Sequence, residues 1–315
     1  MLALELDQSP RLRELPLPEP APGEALVRVT LAGICNTDLE LIRGYMGFRG
    51  VIGHEFIGVV ETASNPFLRG KRVVGEINCV CHRCSFCQRE MPHHCANRTV
   101  LGILGRNGAF AEYLVLPEEN LHLIPDNVPD EAAVFTEPVA AAFRIVEQLA
   151  IAPTDRVVVL GDGKLGQLIA QVLALHTRDL ICVGKHRWKL ELLERLGITT
   201  ASSEDTLPPG ADIVVEATGS SRGLSRALEL VRPEGTVVLK TTVADATAIN
   251  FALPVINELR IVGSRCGPFR PAIEALSLGN VAVLPMITET YPLSEALTAL
   301  TRAQAPGVMK VLLRP

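Results

Sequence analysis

Four of the chain's eight cysteines crowd into one short stretch, as Cys81, Cys84, Cys87 and Cys95. The pattern is C-x2-C-x2-C-x7-C. In a reducing compartment such a cluster points to a bound metal rather than to disulfides. Four thiolates so spaced can surround one zinc ion tetrahedrally and leave no open position, which stabilises a lobe and does no chemistry. Free thiols or a redox C-x-x-C pair are the competing readings, and three interlocked cysteines closed by a fourth argue against both. Cys79, Cys182 and Cys266 read as small core residues, although Cys79 could compete for the metal.

Cys35 and His54 form a second candidate pair, a soft and a borderline zinc ligand. A catalytic zinc takes about three protein ligands and keeps one position open for substrate. Asp38 and Glu55 stand beside them in sequence and could accept a hydrogen bond from His54 or adjust the charge at the metal. Taken alone, one Cys and one His read first as a buried thiol and a satisfied core histidine.

The third stretch, residues 157–166, reads Val-Val-Val-Leu-Gly-Asp-Gly-Lys-Leu-Gly. The apolar run predicts a strand buried on both faces of a parallel sheet. The segment 165–175 has the apolar spacing of a helix, with Gln167 and Gln171 interleaved. Between them Gly161, Gly163 and Gly166 supply G-x-G-x-x-G. In that context the glycines give a sharp turn, close approach of a pyrophosphate and tight packing of helix on strand. The segment Gly161, Asp162, Gly163, Lys164, Leu165 and Gly166 is therefore the expected dinucleotide-binding loop, with free N–H groups at the helix start turned to the phosphates. The next strand, 180–183, ends at Gly184, where a carboxylate that favours NAD commonly stands. Lys185, His186 and Arg187 follow instead. Cations without a carboxylate predict NADP(H) over NAD(H).

Other elements must hold these groups. Short strands are expected at 3–6 and 25–31, joined by an extended segment containing Pro16, Pro18, Pro20 and Pro22. A long alanine-rich helix is expected at 132–151. Strands at 180–183, 211–219, 236–240 and 259–263 alternate with helices at 187–196, which Gly197 ends, and at 224–231. That alternation argues a doubly wound parallel sheet. Thr218 would lie at a strand's carboxyl end, where such sheets bind ligands. Helices are expected at 271–278 and 293–300, and 308–313 returns as a last strand to the first domain.

The 315 residues suit two domains, and hydrophobic residues, at 48%, suffice for a sizeable core. A net charge of -5 without a basic patch argues against nucleic acid as a partner. No basic start with an apolar run follows Met1, and no apolar stretch is long enough to cross a membrane. A cytoplasmic location is expected.

Cys35-x-Thr37-Asp38, Gly53-His54-Glu55, the four-cysteine lobe and the later G-x-G-x-x-G, in this order, resemble the zinc-containing medium-chain dehydrogenases, the superfamily of zinc alcohol, sorbitol and threonine dehydrogenases. The resemblance covers essentially the whole chain. It implies an α/β architecture: a GroES-like β-barrel catalytic domain at 1–138 with a structural zinc lobe at 79–97, a Rossmann domain at 139–265, and a return to the catalytic domain at 266–315. It implies that 107–115 is the strand closing the barrel-like domain, and that each chain holds two zinc ions, one structural and one catalytic. The catalytic ion would be held by Cys35 and His54, with Glu55 as a carboxylate able to approach it and Glu137, in Thr136-Glu137-Pro138, as the third family ligand. Asp38 would support the metal site, Thr37 would pass the substrate proton, and Lys310 would reach the cofactor phosphates. The implied reaction is hydride transfer between an alcohol or carbonyl and NADP(H), in a homodimer or homotetramer. Glu40 departs from the family by standing where many members place a relay histidine, and the stretch 39–51, with Arg43, Tyr45, Phe48 and Arg49, is short. A zinc-independent enoyl or quinone reductase on the same fold, and a non-catalytic NADP(H) sensor, are the alternatives.

Overall fold

The computed structural model describes residues 1–241 and 251–315. These fall into two compact units, Met1–Glu137 with Ala272–Leu278 and Val283–Pro315, and Pro138–Pro271 with Gly279–Ala282.

The first unit is built on β1 (Glu24–Gly33), a ten-residue strand with nearly every side chain buried except Arg28. From it the chain enters α1 (Asn36–Ile42) and returns as β2 (Glu55–Thr62), antiparallel to β1. A seven-stranded mixed sheet forms around these two. Its order is Leu121–Leu123, Arg72–Gly75, β2, β1, the C-terminal strand and Ile287–Pro292, with Tyr113–Pro117 also paired to β1. Of the expected strand at 107–115, only its end is a strand. Residues 108–110 instead bond the turn before β2, with Gly108, Ala109 and Phe110 donating to Val51, Gly53 and Ile52.

The expected long helix at 132–151 is two pieces. Asp130–Ala133 is one turn, and α2 (Thr136–Gln148) starts afresh. Pro138 is the reason. In a continuous helix its ring would meet the carbonyl four residues back, whereas a first-turn proline costs nothing. The restart places Glu137 in the first turn of α2.

The second unit is an open parallel sheet. Its strands are β3 (Arg156–Leu160), β4 (Asp179–Gly184), β5 (Thr199–Ser202), β6 (Ala211–Glu216), β7 (Val231–Leu239) and β8 (Arg260–Gly263). All pair in parallel, in the order β5-β4-β3-β6-β7-β8. The order reverses at β3, so the crevice beyond its carboxyl end is where such a sheet takes a ligand. Val157, Val158 and Val159 are at most 1% exposed, and burial of each stabilises the fold by about 1.5–3 kcal/mol.

Between β3 and β4 runs α3 (Lys164–Ala174). Its glutamines are buried with its aliphatics. Gln167 donates to the Lys189 carbonyl, and Gln171 exchanges two bonds with the backbone of Ala282. The polar spacing therefore marks bonds to neighbouring elements rather than a solvated face. Next comes α4 (Arg187–Glu194), shorter than expected, then α5 (Ser221–Leu230) between β6 and β7. Strand β9 (Lys310–Arg314) closes the chain antiparallel to β1 in the first unit. No described helix is long and apolar enough to cross a membrane.

Candidate active site

Cys35 is the residue before α1 and holds an extended backbone, with φ -98° and ψ 160°. Asp38, three residues on and wholly buried, turns back so that its carboxylate accepts the Cys35 N–H at 2.8 Å. The other oxygen accepts the Gly53 N–H at 3.2 Å. That oxygen is also 3.2 Å from His54 Nδ1. One buried carboxylate thus ties the loop bearing Cys35 to the turn bearing His54. The turn needs glycine: Gly53 has φ +95°, and a Cβ there would lie 2.4 Å from the buried ring of Phe110.

Sγ of Cys35, a ring nitrogen of His54 and a carboxylate oxygen of Glu55 all lie within 4.8 Å of one another. His54 Nδ1 approaches Asp38 obliquely and is buried without a well-aligned partner. Burial alone would lower the imidazole pKa, but the Asp38 carboxylate and Cys35 beside it raise it well above its ordinary value. Positive charge beside the Asp38 carboxylate and the Cys35 thiol is thus favoured in this pocket. The donor set of thiol, imidazole and carboxylate suits zinc.

Glu55 has a second partner. Lys310, 1% exposed, donates to its carboxylate and to the Ile34 carbonyl, and stands 5.5 Å from the centre of the Phe135 ring. This corrects the expectation that Lys310 reaches the cofactor phosphates: its ammonium is enclosed in the first unit and engaged there. Glu137 lies outside the three-residue cluster, half-buried at the start of α2. Thr37 is half-buried, with its hydroxyl 3.8 Å from Cys35 Sγ. Glu40, at the relay position, binds the Arg43 guanidinium at 2.6 Å.

The four lobe cysteines also converge. Sulfur separations are 3.5 Å for Cys84 and Cys87, 3.8 Å for Cys84 and Cys95, and 3.5 Å for Cys81 and Cys95. Disulfide sulfurs would stand about 2 Å apart. Tetrahedral sulfurs about 2.3 Å from one zinc stand roughly 3.8 Å apart, so this lobe fits the ion. Asn97 and backbone N–H groups bring the Cys81 thiol down to about 5, while burial and the crowded sulfurs push Cys87 up to about 12. A dication would relieve that opposition. Cys79 lies apart from this set, buried and with its thiol pushed up by burial.

In the second unit the glycine loop follows β3. Gly161 has φ +118°, and a Cβ on Gly166 would lie 1.9 Å from the Gly161 carbonyl oxygen. A Cβ on Gly163 would meet nothing within 4 Å, so this side of the turn is open to a pyrophosphate. Lys164 and Leu165 open α3, both half-buried. Lys185, His186 and Arg187 are exposed beyond β4. Arg187 is not simply a phosphate-seeking cation, since Glu194 takes it at 2.6 Å and Glu191 at 3.3 Å. Thr218 is exposed beyond β6, and its hydroxyl donates to Glu216 at 2.6 Å.

Two acidic groups at the strand ends carry more than the sequence reading assigned them. Asp162, from the glycine loop, brings a carboxylate to the end of β4, where none was expected. The signal was Gly184, whose Cβ would stand 2.4 Å from that of Asp162. Glu216 is 2% exposed at the end of β6 and accepts from Thr218.

Residues 21–126 match the family described as alcohol dehydrogenase GroES-like domain, and residues 131–313 that described as glucose dehydrogenase C-terminus. The chain is similar to a sorbitol dehydrogenase of Halalkalibacterium halodurans, 30% identical over 95% of this chain and 94% of that one. Its structure is similar to a zinc-binding dehydrogenase from Sinorhizobium meliloti 1021 bound to NADP, with TM-score 0.91, 29% identity, and 100% and 99% of the two chains covered. It is also similar to a short chain alcohol dehydrogenase from Escherichia coli CFT073 complexed with NADH, with TM-score 0.92, 27% identity, and 100% and 98% covered.

Proposed function

The chain belongs to the zinc-type medium-chain dehydrogenase family and is an oxidoreductase acting on alcohols; we propose that it uses zinc and NADP(H) to interconvert an alcohol, of the polyol class, and its carbonyl. The observation that carries this reading is the gathering of Cys35 and His54 around the buried Asp38 carboxylate. The similarity to a sorbitol dehydrogenase supports a polyhydroxy substrate.

In this reading Cys35 and His54 hold the catalytic ion. Glu55, which lies with them and also binds Lys310, and Glu137, at the start of α2 in the same unit, are the carboxylates that the family resemblance offers to the metal. When bound, zinc acts as a Lewis acid and lowers the pKa of an oxygen it holds. Thr37 takes the proton that the substrate hydroxyl gives up. Asp38 keeps His54 oriented and accepts the Cys35 N–H, so both ligand-bearing turns stay in place without substrate. A nicotinamide dinucleotide, when bound, would supply or accept the hydride, and the open side of Gly163 leaves room for its pyrophosphate. The second ion belongs to the cysteine lobe. Lys185 supplies the positive charge for a 2′-phosphate, with His186 beside it, and the NADP-bound relative supports that choice.

The test is turnover of a panel of alcohols, polyols, aldehydes and ketones with NADP(H) and with NAD(H). Turnover of a polyol with higher kcat/KM for NADP+, abolished in Cys35→Ala and His54→Ala while NADPH still binds, is expected. NADPH binding without turnover of any compound would favour a sensor instead.

A further inference from the structure

The end of β4 is built in an unusual way. A dinucleotide fold commonly places a carboxylate there on the strand itself, to receive the ribose hydroxyls. Here the strand ends in Gly184, and the carboxylate arrives from the glycine loop as Asp162. The exchange is steric: a Cβ on Gly184 would stand 2.4 Å from Asp162 Cβ and 2.6 Å from its Oδ2.

The carboxylate faces the turn and is almost fully enclosed, with its side chain 9% exposed. Its Oδ2 accepts the Lys185 N–H at 2.8 Å and the His186 N–H at 2.6 Å. His186 Nδ1 stands 3.0 Å from Oδ2 and 3.1 Å from Oδ1. A carboxylate receiving that many donors is no longer a bare anion aimed at a ribose. It is a clamp on the two residues that follow β4. Lys185 has its side chain in solvent beyond that clamp, the His186 ring is turned onto the carboxylate itself, and Arg187 is drawn off by Glu191 and Glu194.

We propose that Asp162 is the positioning residue for cofactor choice: by bonding the backbone of Lys185 and His186, and the His186 ring, it fixes this turn so that the Lys185 ammonium stands at the adenosine 2′ position, where it takes the 2′-phosphate. This rests on the NADP(H) reading above. Acting through the turn rather than on the phosphate, Asp162 when lost should raise KM for NADP+ by a larger factor than it changes kcat.

The test measures kcat/KM for NADP+ and NAD+, and the Kd of adenosine 2′,5′-bisphosphate against that of 5′-AMP, in the wild type and three variants. Asp162→Ala removes the acceptor. Gly184→Ala evicts the carboxylate by the steric route. Asp162→Asn keeps an oxygen acceptor and removes the charge. Charge-assisted bonds of this kind predict that the NADP+/NAD+ ratio of kcat/KM falls about tenfold or more in the first two. Affinity for the bisphosphate should fall in step, with 5′-AMP little changed. Asp162→Asn should stay within about threefold of wild type, because the turn needs an acceptor more than a charge. An unchanged ratio in Asp162→Ala, at unchanged Tm, would overturn the proposal. A ratio that rises in Asp162→Ala would also overturn it and would make Asp162 a barrier to the 2′-phosphate. The wild-type ratio judges the NADP(H) reading separately: a wild type that prefers NAD+ contradicts that reading, while the change on substitution still decides the role of Asp162.

Discussion

Lys310 donates its ammonium to the carboxylate of Glu55, and both side chains are only 2% exposed. The pair fills the space left by an absent side chain, for a Cβ on Gly33 would lie 2.5 Å from Glu55 Oε2 and 2.8 Å from Lys310 Cε. It also crosses the chain, joining β9 to the start of β2. Glu55 is therefore held at the edge of the Cys35 and His54 cluster as half of a neutral pair. Removing one partner leaves an uncompensated buried charge, which costs about 3–5 kcal/mol. Lys310→Met is expected to lose that much in urea denaturation, and Lys310→Met with Glu55→Gln is expected to recover most of it. A single variant as stable as wild type would mean that the pair is not a structural unit.

Asp38 carries a different burden, since it bonds both ligand-bearing turns. Asp38→Asn cannot hold the imidazole by charge and offers an amide where an acceptor is needed. Loss of such a supporting partner typically costs about 10–100-fold in metal affinity or activity. Titration of metal-stripped protein with zinc should show the weakening at one site, with lobe binding unchanged. Equal affinity at both sites in the variant and wild type would contradict this.

Cys84→Ser breaks the thiolate set at Cys81, Cys84, Cys87 and Cys95. The expected result is one zinc fewer per chain and a lower Tm. Wild type treated with a strong chelator should show the same fall in Tm. Unchanged metal content and melting would argue against a structural ion.

Away from the sites, Asp212 accepts from Arg232 at 2.7 Å and from the Arg156 N–H at 2.8 Å. The Arg232 bond holds its carboxyl below the usual range against the opposing effect of burial. A carboxylate with a depressed folded-state pKa adds stability above its unfolded pKa of about 3.9 and loses it as pH falls through the folded value. Asp212→Asn should therefore be less stable than wild type by about 1 kcal/mol at neutral pH, with the difference closing in acid. A difference independent of pH would show that the charge is not its source.

Much of this was legible before the fold was known. The glycine loop, the parallel strands and the spacing of Cys81, Cys84, Cys87 and Cys95 are local signals. Each is written in a few consecutive residues with a strong geometric requirement. The pairing of Lys310 with Glu55 was not legible, because 255 positions separate them and only β9 beside β1 brings them together. Asp162 was hidden for a related reason: its role depends on Gly184, a residue remarkable in sequence only for the side chain it lacks. The break before α2 could have been read from Pro138, whose ring forbids a helix running through it.

The most direct test of the account is zinc per chain, measured by elemental analysis on wild type and Cys35→Ala side by side. Two zinc ions in the wild type and one in Cys35→Ala are expected, with the lobe ion retained in both. One zinc in each would leave only the lobe site filled, and would contradict a catalytic metal at Cys35 and His54.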